Sequence, residues 1–265
     1  MTVGGWVYTG QGVWASSSDG SWSDVLKWTA DGGVPGKDGP VLSAADTATF
    51  GQTGPQTVTL DISPQVSALS LSNGPYTLNT LTGNTLHLST TSGQASIVSS
   101  GTQNVTVPVS LDSSTAVTTS GGNDVLTLAG LVSGSGGLAK IGSGTLVLSS
   151  TNNHASGFTG GTTLVGGNLE YTSSAAVDKG NVEFAGGNLV LNFGAGGGSV
   201  VTSADSGSGL SASAPSAGLG SAAVVPPAGA GSALTVAGVP EPGTLGLLGA
   251  GLLAGLIAWL RRRRA

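Results

Sequence analysis

Short alternating apolar runs return along this chain at almost constant intervals, and that regularity limits the folds open to it more than any other feature. The runs follow Gly or Asn: Gly83-Asn84-Thr85-Leu86-His87-Leu88, Asn123-Asp124-Val125-Leu126-Thr127-Leu128, Gly144-Thr145-Leu146-Val147-Leu148, Gly167-Asn168-Leu169-Glu170-Tyr171 and Gly187-Asn188-Leu189-Val190-Leu191. Their first inward-type residues are Leu86, Val107, Leu126, Leu146, Leu169 and Leu189, spaced 19–23 residues apart. Side chains alternate between the two faces of a strand, so each run has one apolar face to bury. A coil of this length cannot bury that face alone, but it can by stacking on the next coil. Residues 56–193 are therefore expected to form a right-handed parallel β-helix of about seven coils, each rising ~4.8 Å. In it Leu126, Leu146, Leu169 and Leu189 share one interior file. Short strands at 8–12-residue intervals also fit a β-sandwich; the near-constant coil length favours the solenoid.

Composition agrees with an all-β chain. Val, Leu, Thr and Gly are abundant, 47 residues are Gly, and no long amphipathic helical pattern is present. Gly and Asn between the runs supply corners with positive φ. There is no Cys, which excludes disulfide staples and zinc–thiolate sites. All four Arg lie at the C-terminus, so residues 1–239 carry Lys27, Lys37, Lys140 and Lys179 against twelve acids, a net charge of about −8. Such a body is unsuited to nucleic acid or to phosphate groups.

Residues 1–55 hold Trp6, Trp14, Trp22 and Trp28, separated by Gly, Ser and Asp. An open solenoid end exposes unpaired strand edges, so this segment is expected to be an N-terminal cap. The same four tryptophans are also candidates for a glycan-stacking platform, because an aromatic ring offers an apolar face to a pyranose. Residues 194–238 are a Gly/Ala/Ser/Pro tract with a single charge, Asp205. It has too little to bury to offset the entropy of ordering, and is expected to be a flexible linker.

The body offers little catalytic chemistry. Asp24, Asp31, Asp38 and Asp46 cluster in sequence, but their Gly, Ser and Pro flanks suit turns better than acid–base work. A polysaccharide lyase needs a cation or metal beside a base, and the body has no Arg and scattered Lys. His87 lies between Leu86 and Leu88 on the outer face of a strand, and His154 lies in a loop; neither has a partner in its own motif. Gly121-Gly122-Asn123-Asp124 has a calcium-loop flavour without the nonapeptide period. No catalytic residue, metal ligand or cofactor is expected.

The last 27 residues are of another kind. Val239-Pro240-Glu241-Pro242 precedes an apolar run, Leu245 to Leu260, and a basic stop, Arg261, Arg262, Arg263 and Arg264. Sixteen residues at ~1.5 Å each span ~24 Å as a helix, short for a ~30 Å hydrocarbon core, though thinning and snorkelling accommodate it. Trp259 suits the interface, and the arginines are expected to stay cytoplasmic. The two prolines keep the Glu241 region extended and accessible to a processing enzyme. This order of motif, span and basic stop resembles the PEP-CTERM tail. The resemblance implies sorting by an exosortase-type enzyme in a Gram-negative producer of exopolysaccharide, with transient anchoring in the inner membrane. Met1 to Trp6 lack the basic and apolar regions of a signal peptide, so an export signal is expected upstream.

A second resemblance lies in the body. Gly134 to Gly157, with Leu138, Lys140, Gly142, Gly144-Thr145-Leu146, Leu148 and Asn152 in place, is similar to the autotransporter-associated β-strand repeat, although Ser150 and His154 depart from its pattern. Together the features point to an exported structural or adhesive protein of the cell surface or matrix, its tail at residues 239–265. A carbohydrate-binding protein of the exopolysaccharide matrix is the alternative, and a glycan-active enzyme a more distant one.

Overall fold

The computed structural model describes residues 10–29, 33–36, 46–150, 158–173, 176 and 182–192, and the backbone of three short strands beyond them. The chain divides into a unit Met1–Thr235 and a unit Val236–Ala265; no residue of the second unit is described.

The first unit is a parallel β-solenoid of about six turns with three sheets. Sheet A stacks β1 (Gln11–Trp14), β3 (Thr47–Phe50), β6 (Ala68–Leu71), β9 (Ala95–Ser99), β12 (Thr115–Thr119), β15 (Leu138–Ile141), β17 (Thr162–Leu164) and β19 (Val182–Phe184). Sheet B stacks β2 (Gly20–Ser21), β4 (Gln56–Thr59), β7 (Tyr76–Asn79), β10 (Thr102–Val105), β13 (Val125–Leu128), β16 (Thr145–Leu148), β18 (Asn168–Tyr171) and β20 (Asn188–Leu191). The shorter sheet C holds β5 (Gln65–Val66), β8 (Leu86–Leu88), β11 (Val109–Leu111) and β14 (Val132–Gly134). From β4 to β15 the chain visits B, C and A in turn, so strands that pair are three apart in sequence. Every strand pairing described between β1 and β20 is parallel. A sandwich of hairpins is thereby excluded.

Register puts like on like. Leu126, Leu146, Leu169 and Leu189 pair in succession and are wholly buried, the interior file expected from their spacing. Two residues further along the strands, Val58, Leu78, Val105, Leu128, Leu148 and Tyr171 form a second buried file. Leu86 and Val107, which share the period, are buried as inward residues but lie outside the leucine file. Leu86 lies in sheet C opposite Val109, and Val107 is buried between β10 and β11. The interval that seemed to continue the leucine file here spans two different sides of the coil. The residue that actually stands before Leu126 in its file is Gln103.

Corners between sheets turn on residues with left-handed backbone. Asn73 (φ 65°) makes one such corner and Gly142 (φ 81°) another. A Cβ on Gly142 would stand 2.2 Å from the Thr119 carbonyl oxygen of the preceding coil, so only glycine lets these backbones approach.

The solenoid does not begin at residue 56. β1 pairs with β3 and β2 with β4, so strands β1, β2 and β3, before residue 56, build the first rungs of sheets A and B. The tract at 194–238, expected to be structureless throughout, contributes β21 (Ser199–Thr202), β22 (Ser211–Ser213) and β23 (Ala233–Leu234). β21 pairs antiparallel with β20, β22 with β21, and β23 with β19. An open sheet edge offers a row of unpaired amides and carbonyls, which even a Gly/Ala/Ser sequence can bond through its backbone. Among the described residues no helix is long and apolar enough to cross a membrane, and Leu245 to Leu260 lie outside them.

Candidate functional site

Trp14, Trp22 and Trp28 turn inward at the N-terminal end of the solenoid. Trp14 and Trp22 are 0 % exposed and Trp28 is 3 % exposed, so none presents a ring face to a sugar, and the stacking platform is withdrawn for these three. Trp6 lies outside the described residues. The physical reason is a large interior at the first rungs. Trp14 packs edge-on to Trp28 with ring centroids 5.2 Å apart, and all three indoles surround Phe50, which in turn meets Tyr76 at 5.3 Å. Each indole N–H has an acceptor: Trp14 donates to Gln56 Oε1 (2.9 Å), Trp22 to the Pro35 carbonyl (2.9 Å) and Trp28 to the Trp22 carbonyl (2.7 Å). Burying indoles without these bonds would forfeit part of the gain. Tyr76 closes the cluster; burial raises the pKa of its hydroxyl, which donates to the Gln52 carbonyl at 3.2 Å.

Several acids of the described segments accept hydrogen bonds from backbone amides, locally or from a neighbouring coil. Asp24 accepts from Leu26 N, Asp19 from Thr57 N, Asp61 from Ser23 N, and Asp124 from the amides of Gly101 and Gly121. Asp46 is buried and accepts from Gly36 N at 2.7 Å. The local bond of Asp24 is of the turn kind expected for it, Asp46 instead ties the strand start to the Gly36 segment ten residues away, and Asp31 and Asp38 lie outside the described residues. Among the described residues no group of three or more His, Asp or Glu is arranged to hold a metal ion.

Two polar features were not foreseen. His87 does have a partner, from the next coil: its Nδ1 lies 2.8 Å from Asp112 Oδ2 on the outer face of sheet C. Ser110, opposite His87 in the register, donates to Asp112 rather than to the imidazole. Serine, histidine and aspartate therefore meet, but the serine is not placed for activation by the histidine. The pairing joins residues 25 apart, which no local motif could reveal. The second feature is Lys140. It is 0 % exposed and stands in an interior file between Val117 and Leu164. Its ammonium donates to the carbonyls of Ile141 (2.9 Å), Gly142 (3.1 Å) and Gly166 (3.1 Å), one acceptor for each proton. Burial lowers its pKa from 10.5 to about 8. The alternation Leu138-Ala139-Lys140-Ile141 carried the signal, because Leu138 and Lys140 share a face.

The outer faces of the two long sheets differ. On sheet B, Thr57, Thr77, Asn104 and Thr127 follow one another, and Thr145, Asn168 and Asn188 form a neighbouring file. Asn188 Nδ2 donates to Asn168 Oδ1 at 3.0 Å. On sheet A one outward file runs Thr47, Ala68, Ser96, Ala116, Ala139 and Thr163. The other runs Thr49, Ser70, Val98, Thr118 and Ile141. The first file continues to the exposed Glu183 in β19, whereas from β3 to β17 neither file contains a charge or an aromatic ring.

Val239 to Pro242 and Arg261 to Arg264 lie outside the described residues, and their assignment rests on sequence. Residues 238–264 match the model of the PEP-CTERM protein-sorting motif. No curated protein and no solved structure is significantly similar to the chain. The motif implies export, sorting to the cell surface and processing by an exosortase, and an extracellular β-solenoid is consistent with that destination.

Proposed function

We propose that this chain is a structural protein of the bacterial cell surface or extracellular matrix, delivered by an exosortase that processes its tail near Val239-Pro240-Glu241-Pro242. The observation that carries the proposal is the sorting motif at residues 238–264, joined to a solenoid body. Leu245 to Leu260 anchor the precursor in the inner membrane with Arg261 to Arg264 on the cytoplasmic side. The body then supplies a durable scaffold of stacked coils, with the tryptophan cluster sealing its first rungs. The segment Gly134 to Gly157 belongs, in this proposal, to the autotransporter-associated type of repeat, whose Lys is the buried Lys140. The body is not an enzyme: the bonds of Asp19, Asp24, Asp61 and Asp124 to backbone amides support structural work for these acids, tying turns and neighbouring coils together.

The test is the mass of the mature protein from its native host. Loss of Arg261 to Arg264 is expected, together with retention of the unprocessed precursor in a Pro240→Ala/Pro242→Ala variant. A surface-displayed product that keeps the four arginines, or normal sorting of the double variant, overturns the assignment.

A second reading, binding of matrix polysaccharide, is favoured by one observation. The Thr and Asn files of sheet B place hydroxyls and carboxamides at the ~4.8 Å strand spacing along an outer face. Pulldown with exopolysaccharide from the producing strain separates it from a purely structural role.

A further inference from the structure

We propose that the outer face of sheet A is a lateral contact between copies of this chain arrayed on a surface. The inference builds on the display of many copies together at the cell surface. An exposed sheet face in water ordinarily carries charged side chains, which keep it soluble and keep sheets apart. From β3 to β17 both outward files of sheet A consist of Thr, Ser, Ala, Val and Ile, with no charge. Val98, at the middle of the face, is 42 % exposed.

Charge elsewhere makes this face the permitted approach. The segment before the tail carries a net charge of about −8, and identical copies repel wherever acids face each other. Asp61, Asp112 and Asp124 lie off this face, in turns or beside sheet C, while Glu183 stands at its far end in β19, beyond the uncharged stretch from β3 to β17. Small side chains also let two sheets close to the ~10 Å of packed β-layers and interdigitate. A glycan is the poorer occupant here, because pyranose recognition draws on aromatic faces and these files have none. Two identical faces related by a two-fold axis satisfy each other without a second surface.

Area decides how strong the contact is. Six strands at ~4.8 Å, each about four residues long, make a face of roughly 400 Å², or about 800 Å² for a pair. Stable complexes bury about 1,200–2,000 Å². Free copies in dilute solution therefore do not dimerise stably through this face. Copies tethered side by side experience effective concentrations in the millimolar range, where weak contacts fill. The contact is thus a cohesion device that operates only in the displayed state.

The absence of Cys allows a clean test. Ala116→Cys stands near the centre of the sheet A face, and Thr127→Cys on sheet B serves as the control. Intact host cells displaying either full-length variant are treated with a short, membrane-impermeant bismaleimide. A cross-linked dimer is expected from Ala116→Cys and several-fold less from Thr127→Cys. Adding Ala139→Lys, which sets like charges against each other across the contact, should lower the Ala116→Cys dimer about tenfold at equal display. Equal yields from the two faces, or no dimer from a displayed Ala116→Cys, overturn the proposal. So does a dimer that disappears on digestion of the matrix polysaccharide, which would make glycan the occupant. If an impermeant monofunctional maleimide does not label Ala116→Cys on intact cells, it is the display reading that has failed. Cross-linking of the concentrated full chain in detergent then decides between the two faces by the same outcomes.

Discussion

Lys140 shows how a single residue can be well bonded and still work against stability. Its three protons meet three carbonyls, which keeps the ammonium charged at neutral pH. Burial nevertheless brings its pKa to about 8, below the 10.5 it has in the open. Between these values the unfolded chain still holds a proton that the folded chain has lost, so stability should rise with pH across that window. The gain is on the order of 1–3 kcal/mol. Lys140→Met removes the charge along with the three bonds. It should change stability at pH 7 by no more than ~1.5 kcal/mol, while flattening the rise between pH 8 and 10.5. Urea denaturation at a series of pH values measures both. A wild-type protein that loses stability through this window would contradict the assignment. The inward position of Lys140 was legible from strand alternation. Its acceptors were not, because Gly166 comes from the next coil, 26 residues away.

At the scale of the strand, a position's value depends on which side of the pleat it occupies. Leu146 in β16 is wholly buried between Leu126 and Leu169, while Thr127 in β13 stands on the outer side opposite Val147. Leu146→Ala should cost about 2–5 kcal/mol, from lost transfer energy and the cavity it leaves. Thr127→Ala should cost under ~0.5 kcal/mol. Chemical denaturation of the two variants reads the difference directly, and equal costs would mean that the register is wrong. The leucine file from Leu126 onward was legible because these coils are close to 20 residues long and begin alike with Gly or Asn. The sides on which Leu86 and Val107 lie were not legible, because spacing alone does not say which of three sides a run occupies. The same limit hid Gln103, a polar residue in an apolar file, whose amide donates to the carbonyls of Gly74 and Ser100 and accepts from Tyr76 N.

Across the whole body, stability is expected to be distributed coil by coil, since each coil meets mainly its neighbours. The aromatic cluster around Phe50 ties β1, β3 and the Trp28 segment to the first full turn. Phe50→Ala should remove about 3–5 kcal/mol locally. Its effect should decline along the axis, with amides of β1 and β3 losing hydrogen-exchange protection before those of β13 and β16. Uniform loss across all coils would show instead that the solenoid unfolds as one unit. This organisation also suits the proposed role, because a scaffold that can open at one end without collapsing tolerates a surface environment.

The sequence by itself determined the class of the body and the address of the protein. Alternation fixes which residues of a run share a face, a near-constant period implies that the runs stack, and a sorting motif is read as a linear peptide; all three are local properties of the chain. Tertiary structure alone decided which run lies on which sheet, whether the tryptophans face sugar or one another, and which partners Lys140 and His87 find. It also decided that the outward residues of six strands, scattered over more than a hundred positions, form one uncharged face on sheet A. Those outcomes depend on contacts between coils, where residues 20 or more apart are brought to one strand spacing, and the register that sets them is a property of the assembled stack.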